Sequence, residues 1–214
     1  MEVPPSGAAT GSDGVTRCWW SLGDELYEHY HDHEWARPVA DDRRLFEKVC
    51  LEAFQSGLSW LIILRKREGF RRAFQSFDFE TIASFDDRDV ERLMNDASIV
   101  RNRAKIQATI NNARRCVELV EERGGLAAHV WSFEPDPSSR PATLDWATLT
   151  SIGPSHEAVA LAKDLKRRGW SFVGPTTLYS FMEAMGVVND HVTACDLRDE
   201  VEAERDRFKR PSPR

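Results

Sequence analysis

A helix, a short hairpin and a second helix are predicted by the stretch Lys166-Arg167-Arg168-Gly169-Trp170-Ser171-Phe172-Val173-Gly174-Pro175-Thr176-Thr177. The first helix ends at Gly169, and the second begins near Thr176. Gly174 permits close backbone approach, and the free amides at a helix start favour an anion such as phosphate. Such a hairpin can grip a DNA backbone without reading its sequence, through Lys166, Gly169, Gly174 and Thr176. A plain helix–helix turn with glycine caps explains the same residues more simply.

Helical periodicity of apolar residues continues on both sides of this stretch, through almost the whole chain. Predicted helical segments cover about 41–56, 58–64, 87–94, 101–122, 155–168 and 176–185. Asp41 and Ser155 are suited to cap helix starts, and Gly124 follows the end of the longest helix. A last helix is predicted to carry His191 and Cys195. No strand pattern is convincing and no repeat is visible, so the expected fold class is all-α.

The chain has 214 residues, enough to bury a core as one domain. Residues 17–196 are predicted to form that domain, and the charged residues 197–214 form a tail. Residues 1–16 are rich in Gly, Ser, Pro and Ala and lack the features of a signal peptide, so they are expected to be a disordered leader. Apolar runs such as Leu61-Ile62-Ile63-Leu64 are too short to span a membrane. A cytoplasmic protein without a membrane partner is expected.

The net charge of −6 argues against a protein coated in nucleic acid. Basic residues are nevertheless clustered, and a local basic face can still follow a phosphate backbone. The clusters are Arg65-Lys66-Arg67, Arg71-Arg72, Arg101-Asn102-Arg103-Ala104-Lys105, Arg114-Arg115 and Lys166-Arg167-Arg168. Taken singly, each cluster is explained as well by a solvated helix face.

Two cysteines and two histidines near opposite ends of the chain are candidate metal ligands. His191 and Cys195 are four residues apart, which on a helix places both side chains on one face. With Cys18 and His31 they make a set of two thiolates and two imidazoles, the closed tetrahedral set of structural zinc. Each of the four could instead be an ordinary core residue. A zinc hydrolase would need an open coordination position, which four protein ligands do not leave.

Aromatic residues surround one carboxylate in the sequence. Glu52 lies three residues after Val49 and seven after Leu45, so it shares a helix side with apolar residues. A buried carboxylate among aromatic rings would suit a flipped nucleobase, because the rings stack on it and the carboxylate accepts hydrogen bonds from its edge. The flanking aromatic residues are Tyr27, Tyr30, Trp35 and Trp60. Alternatively, Glu52 is the exposed ion-pair partner of Lys48, worth roughly 0.3–0.5 kcal/mol.

Six blocks, in order, resemble the 3-methyladenine DNA glycosylase I family, which belongs to the helix-hairpin-helix DNA glycosylases. The blocks are Arg17–Trp20, Tyr30–Trp35, Leu51–Trp60, Ile99–Ile106, Trp131–Phe133, and Phe172–Gly174 through Val188–His191. Order and spacing hold from about residue 17 to residue 196. The resemblance implies that this segment is a helical glycosylase domain whose ends are joined by a structural zinc ion. The zinc ligands that it implies are Cys18, His31, His191 and Cys195.

The resemblance also implies a base excision repair enzyme that acts on alkylated double-stranded DNA. It would hydrolyse the N-glycosidic bond of 3-methyladenine and leave an abasic site. Its base pocket would contain Tyr30 and Trp60, with Trp20 and Tyr27 nearby, and Glu52 as the catalytic carboxylate that accepts hydrogen bonds from the base. A monomer without a nucleotide cofactor is expected.

The implied reaction needs few catalytic groups. Methylation at N3 makes the base positively charged, so the leaving group departs neutral and needs no strong acid. Asp190 adjoins the ligand His191 and is expected to support it rather than to react. Ala53 stands where the family often has glycine, and its methyl group narrows the expected pocket. Ala53 therefore motivates an alternative function, a non-catalytic zinc-containing module that binds damaged duplex DNA.

Overall fold

Residues 2–213 are described by the computed structural model, and their secondary structure is almost entirely helical. The helices are α1 (Glu25–His33), α2 (Asp42–Gln55), α3 (Trp60–Ala73), α4 (Phe79–Ala83), α5 (Asp87–Met94), α6 (Arg103–Arg123), α7 (Leu126–Trp131), α8 (Trp146–Ile152), α9 (His156–Arg167), α10 (Pro175–Ala184) and α11 (Arg198–Arg207). Met1 and Arg214, the end residues of the predicted leader and tail, lie outside the described residues. The prediction of a helical fold is confirmed.

Side-chain caps fix the helix starts that the sequence predicted. Asp41 caps α2 by accepting a hydrogen bond from the Arg44 amide at 2.8 Å, and Ser155 caps α9 in the same way. Gly124 ends α6 with a φ of 82°, a left-handed conformation that suits glycine. These bounds agree with the predicted helices to within two residues, because the capping groups act locally.

A two-stranded antiparallel sheet near the N-terminus corrects the prediction of a disordered leader and of a chain without strands. Strand β1 (Ala8–Thr10) pairs with β2 (Thr16–Cys18), with Ala8 opposite Cys18. Gly11 begins the turn, and its amide donates to the Val15 carbonyl at 2.9 Å. Ala8 is buried, so the small leader residues cover part of the body. The small leader residues were expected to be disordered, but Ala8 packs closely against the body of the protein.

The segment from Asn189 to Cys195 is a loop, so the predicted helix that carries His191 and Cys195 is wrong. Its backbone groups are bonded elsewhere: the Thr193 amide donates to the Leu144 carbonyl at 2.7 Å, and the Leu144 amide donates to the Thr193 hydroxyl at 2.8 Å. The Asn189 side chain accepts from the His191 amide at 3.2 Å. Polar side chains that bond to nearby backbone compete with helix formation.

The predicted tail is joined to the body by α11. Val201 is buried there, and the guanidinium of Arg205 lies 3.0 Å from Glu134. Phe208 follows the helix and stacks near Trp131, with ring centroids 4.6 Å apart. Among the described helices, none is both long and apolar enough to cross a lipid bilayer.

The core positions four helices around one concave region. Its largest fully buried side chains include Phe46 and Phe54 from α2 and Phe70 from α3. Helix α10 packs against both α2 and α9, and α2 packs against α3. This arrangement brings the inner face of α2 opposite α10, with α1 and the start of α3 beside them.

Candidate functional site

Two cysteines and one histidine from distant parts of the chain meet in a buried cluster. Cys18 is in β2, His31 is in α1, and Cys195 is in the loop before α11; their ligand atoms all lie within 4.8 Å of one another. The Nε2 atom of His31 is 3.7 Å from the Cys195 Sγ. The Nδ1 atom of the same ring lies 2.8 Å from the Asp32 carboxylate. That contact fixes the ring so that Nε2 faces the sulfur atoms.

His191, the fourth predicted ligand, lies beside this group of three. Its ring centroid is 4.9 Å from that of His31. The Nδ1 atom of His191 lies 2.8 Å from the Asn189 side-chain oxygen, whereas its buried Nε2 has no hydrogen-bond partner among residues 2–213. An unpaired buried nitrogen costs free energy, which a metal ligand bond would offset. The donor set therefore fits a tetrahedral metal ion, although the structure brings only three of the four together.

The ionisation of these side chains suits metal binding. A hydrogen bond with Cys18 lowers the pKa of Cys195 to about 5. The same contact raises the pKa of the Cys18 thiol well above its usual value, so the pair shares one proton without a metal. Burial lowers the pKa of His191 to about 2, so that ring is neutral at physiological pH. Thiolate and neutral imidazole are the forms that bind metals.

An aromatic cavity lies between α1, α2, the start of α3 and α10. Its volume is about 170 Å³, below the roughly 300–1,000 Å³ of pockets for drug-sized ligands, so it suits one small ring system. The cavity is lined by Trp20, Tyr27, Tyr30, Trp35, Glu52, Gln55, Trp60, Ser180, Glu183 and Ala184. The structure thus brings together all five predicted pocket residues. We call this space the base cavity.

The rings of the base cavity stand at an angle to one another. Tyr30 and Trp60 have centroids 5.4 Å apart, and Trp20 and Tyr27 have centroids 5.0 Å apart. The Trp60 Nε1 atom is buried without a hydrogen-bond partner among the described residues. The cavity therefore offers flat aromatic faces.

Glu52 is buried and paired with a lysine. Glu52 is 6% exposed, and its Oε1 atom lies 2.8 Å from the Nζ atom of Lys48, which is 5% exposed. The ion pair between Glu52 and Lys48 is therefore present, as the alternative predicted. Its predicted exposure is wrong, because both residues are buried. Sequence periodicity alone does not identify Lys48 as part of the site. Helix α2 is buried on several sides from Leu45 to Phe54, which its own pattern does not reveal.

Glu183 is a second carboxyl group in the base cavity that the sequence analysis did not identify. It lies in α10, across the cavity from Glu52. Burial, and then the nearby Asp190 carboxylate, raise the pKa of Glu183 well above its usual value. Asp190 accepts a hydrogen bond from the Tyr179 hydroxyl at 2.6 Å and pairs with Arg140. The available signal was that Glu183 is the one charged residue of α10.

The start of α10 lies at the mouth of the base cavity. A second space of about 280 Å³ shares Glu52, Gln55 and Ser180 with it and also contacts Thr176. Thr176 is exposed in the first turn of α10, where backbone amides have no helical acceptor. We call this second space the mouth.

Leu58 borders the mouth and is also absent from the predictions. It is 38% exposed and follows Gly57, whose φ of 81° turns the chain outward. Lys105 supports this turn, because its ammonium donates to the Phe54 carbonyl at 2.9 Å and to the Ser56 carbonyl at 2.6 Å. The sequence left open whether the basic cluster with Lys105 is a solvated helix face or a DNA-facing surface, but the Lys105 side chain is buried and belongs to neither. An exposed leucine beside a glycine turn was the signal for Leu58.

Acidic neighbours pair with many of the arginines in the predicted basic clusters. Arg168, for example, pairs with Glu122 and with Asp164. Further pairs join Arg65 to Asp24, Arg67 to Glu34, Arg71 to Glu47, Arg103 to Glu91 and Arg115 to Glu118. These clusters are thus mainly ion-paired helix faces.

The chain between α9 and α10 turns sharply in two places. Gly169 has a φ of 84°, and Phe172 has a φ of 57° while its side chain is 41% exposed. A left-handed φ is strained for a bulky residue, and such strain is concentrated at functional positions. Lys166 is exposed near the end of α9, and Gly174 caps the start of α10. The predicted residues are thus distributed along one helix–turn–helix segment, with Thr176 at the mouth.

The small aromatic cavity lies in a helical protein beside a helix–turn–helix segment, and it is suited to bind one extruded base. Comparison with known proteins identifies the protein family. The sequence model described as "Methyladenine glycosylase" matches residues 19–199. The chain therefore belongs to the methyladenine glycosylase family, and the resemblance found in its sequence is confirmed.

Two relatives match this chain along nearly their whole length. DNA-3-methyladenine glycosylase 1 of Escherichia coli is 47% identical over 182 residues, which cover 85% of this chain and 96% of that protein. DNA-3-methyladenine glycosylase of Haemophilus influenzae is 40% identical over 185 residues, covering 86% and 98%.

Solved structures agree with this assignment. A crystal structure of 3-methyladenine DNA glycosylase I is similar with a TM-score of 0.76 at 47% identity, covering 84% of this chain and 98% of that one. The Staphylococcus aureus enzyme is similar with a TM-score of 0.78 at 34% identity, covering 85% and 96%. A variant of 3-methyladenine DNA glycosylase I in complex with 3-methyladenine also matches, with a TM-score of 0.77.

Proposed function

We propose that this protein is a DNA-3-methyladenine glycosylase of base excision repair. It hydrolyses the N-glycosidic bond that joins 3-methyladenine to deoxyribose in alkylated DNA, and it leaves an abasic site. The observation that carries this proposal is the base cavity, in which Glu52 faces aromatic rings in a chain that matches glycosylases along most of its length. The names of the relatives and the complex with 3-methyladenine support the same substrate.

In this function the aromatic residues hold the extruded base. Tyr30 and Trp60 stack on it, and Trp20 and Tyr27 close the cavity from the side. Glu52 accepts hydrogen bonds from the amino edge of the base. Support comes from the burial of Glu52 and from its ion pair with the buried Lys48 at 2.8 Å.

The bond-breaking step does not require a strong acid from the protein. Because 3-methyladenine is cationic while attached to the sugar, it departs as a neutral base, and the protein mainly extrudes it, holds it and admits water to the sugar carbon. The Glu52 carboxylate holds the amino edge of the base by hydrogen bonds while the bond to the sugar breaks. Asp190 is bound by Tyr179 and Arg140 and adjoins His191. We therefore assign Asp190 a supporting role.

DNA is held beside the mouth in this proposal. The segment from α9 to α10 acts as a helix-hairpin-helix in which Gly169, Gly174, Thr176 and Lys166 contact phosphates. The exposed side chain of Leu58 enters the space that the extruded nucleotide leaves, as apolar wedges do in other DNA-bending proteins. Support comes from Leu58 and Thr176, which both line the mouth.

We also propose that Cys18, His31, His191 and Cys195 bind a structural zinc ion. It would join β2 and α1 near the N-terminus to the loop before α11. The unpaired Nε2 atom of His191 supports this assignment. With four protein ligands the ion would have no open position, and it would supply no reaction chemistry. Elemental analysis of protein purified without added metal tests the site, and a zinc content near zero would contradict it.

The glycosylase activity is tested with DNA treated with a methylating agent. Released bases are separated by chromatography, and free 3-methyladenine is the expected product. The Glu52→Gln and Trp60→Ala variants should release much less while keeping a helical circular dichroism spectrum. Tight binding of methylated duplex DNA with no base released would instead favour the alternative function, a non-catalytic DNA-binding module. That alternative was suggested by Ala53, which is buried next to Glu52 in α2.

A further inference from the structure

Lys48 contacts three groups of the base cavity from behind its wall. Its Nζ atom lies 2.8 Å from the Glu52 carboxylate, 2.8 Å from the Tyr30 hydroxyl and 3.3 Å from the centroid of the Trp60 ring. Lys48 is not among the described residues that line the base cavity. It is therefore a buried ammonium group that touches the recognition residues without occupying the space of the base.

Tyr30 and Trp60 form the partition between Lys48 and the base cavity. Both residues line the base cavity, and both also line a separate small space that contains Lys48. An ammonium ion on the face of a tryptophan ring is attracted by the ring. A base stacked on the cavity side of Trp60 would thus have a fixed positive charge on the far side of the same ring.

The other charged groups near this partition are balanced. Around the space that contains Lys48, Glu34 is paired with Arg67 at 2.9 Å, Glu47 is paired with Arg71 at 2.8 Å, and Arg44 is exposed to solvent. On the cavity side, Glu183 faces Glu52, and Asp190 is paired with Arg140. Burial and the nearby Asp190 carboxylate raise the pKa of Glu183 well above its usual value, which disfavours its charged form. The ion pair that contacts the aromatic wall of the base cavity is that of Glu52 and Lys48, whose charges oppose each other.

This balance matters because the charge of the base changes during the reaction. The methylated base is cationic in DNA and neutral once released. A cavity with an uncompensated carboxylate would bind the cationic ground state tightly and would lose that attraction as positive charge moves to the sugar. Interactions that are stronger in the ground state than in the transition state slow the chemical step.

We infer that Lys48 sets the electrostatic potential of the base cavity, an inference that rests on the proposed function. Its ammonium group cancels the attraction of Glu52 for a cationic purine. The cavity therefore selects alkylated bases by stacking and hydrogen bonding rather than by charge. Lys48 is in this sense a positioning residue that determines specificity through Glu52 and Trp60.

The test compares two ligands that share one ring system. Free 3-methyladenine is neutral at pH of about 8, whereas 3,9-dimethyladeninium carries a fixed positive charge and has a methyl group where the sugar was attached. Both dissociation constants are measured by quenching of tryptophan fluorescence. The Lys48→Met variant should shift the ratio of the two constants in favour of the cation by roughly 10-fold or more, as expected for removal of one nearby charge at an effective dielectric constant of about 20.

Matched variants separate this effect from a general loss of charge or stability. Lys163→Met removes an exposed lysine by the same substitution, and Lys48→Arg keeps the charge; both should retain the wild-type ratio. Lys48→Gln can still hydrogen-bond to Glu52 and Tyr30, and it replaces the methionine variant if that one does not fold. On methylated DNA, loss of Lys48 should lower both kcat and KM, because ground-state binding strengthens while the reaction slows.

The outcomes distinguish this inference from the proposed function. A shifted ratio in Lys48→Met or Lys48→Gln, with wild-type ratios in the two controls, supports the inference. Wild-type protein that binds both purines, with the same ratio in the Lys48 variants, overturns the inference and leaves the glycosylase assignment intact. Wild-type protein that binds neither purine and releases no base overturns both.

Discussion

The Glu52→Gln substitution should destabilise the protein through Lys48. Glutamine has nearly the same shape as glutamate but no charge, so the cavity should keep its outline. The Lys48 ammonium would stay buried, with the Tyr30 hydroxyl at 2.8 Å and the Trp60 ring as its remaining partners. The loss of stability in Glu52→Gln therefore measures how strongly the Glu52 carboxylate stabilises the buried Lys48 ammonium.

The expected cost is near the lower end of the known range. Removing one member of a buried ion pair costs about 3–5 kcal/mol. The contact of Lys48 with the Trp60 ring stabilises the ammonium by about 2 kcal/mol, but it is present in both the wild type and the variant and therefore does not change the difference between them. The amide oxygen of glutamine can still accept a hydrogen bond from Lys48, so we expect about 3 kcal/mol. In a protein of 214 residues, 1 kcal/mol shifts Tm by about 2–4 °C, and the expected loss is about 6–12 °C.

The loss should become smaller as the pH rises. Burial lowers the pKa of Lys48 below its usual value of 10.5, and the Glu52 charge acts against this. In Glu52→Gln the opposing charge is gone, so the folded-state pKa of Lys48 falls further. The unfolded chain then binds more protons than the folded one in the interval below 10.5, and stability rises with pH in that interval.

Thermal unfolding at about pH 7 and about pH 9.5 measures both effects. Glu68→Gln is the matched control, because Glu68 is paired with Arg71 at 2.7 Å but its side chain is 69% exposed. Its cost should stay within about 0.5 kcal/mol at both pH values. If Glu52→Gln unfolds at the same temperature as the wild type and the control, the reasoning from a buried, compensated charge is refuted.

Three further predictions follow from other parts of the molecule. Trp60→Ala should weaken binding of free 3-methyladenine about 5–150-fold, the equivalent of 1–3 kcal/mol of lost stacking, and unchanged affinity by calorimetry would exclude Trp60 as the stacking residue. Cys195→Ser should lose bound zinc and lower Tm, since metal-binding free energy contributes to folding; full zinc content at the wild-type Tm would contradict the proposed site. Leu58→Ala should weaken binding to a duplex with an abasic site but not to the free base, and equal duplex affinity would rule out the wedge.

Local signals in the sequence predicted α2, α5, α6, α9 and α10, but they ended α3 too early and did not predict α1, α4, α7 or α8. Asp41 and Ser155 cap the helices that follow them, and Gly124 ends α6 in a left-handed conformation, as expected. Such signals work because a cap satisfies backbone groups within a few residues of itself. The five residues predicted for the pocket also lie together, although their functional roles remain predictions.

Predictions failed where a distant contact replaced a local one. His191 and Cys195 have helical spacing, but Thr193 bonds to Leu144 and the segment is a loop. Cys195 nevertheless reaches Cys18 and His31. The leader pairs as a strand because Ala8 finds a partner strand and a buried surface. Neither contact leaves a periodic signal in the sequence.

The sequence by itself determined a helical chain, a set of aromatic residues around Glu52, and cysteines and histidines suited to a metal. Only the tertiary structure decided that Lys48 is buried against Glu52 and Trp60, and that Glu183 lies opposite with a raised pKa. The reason is physical. Capping and periodicity depend on neighbours along the chain, whereas the charge state of a buried group depends on which helices cover it.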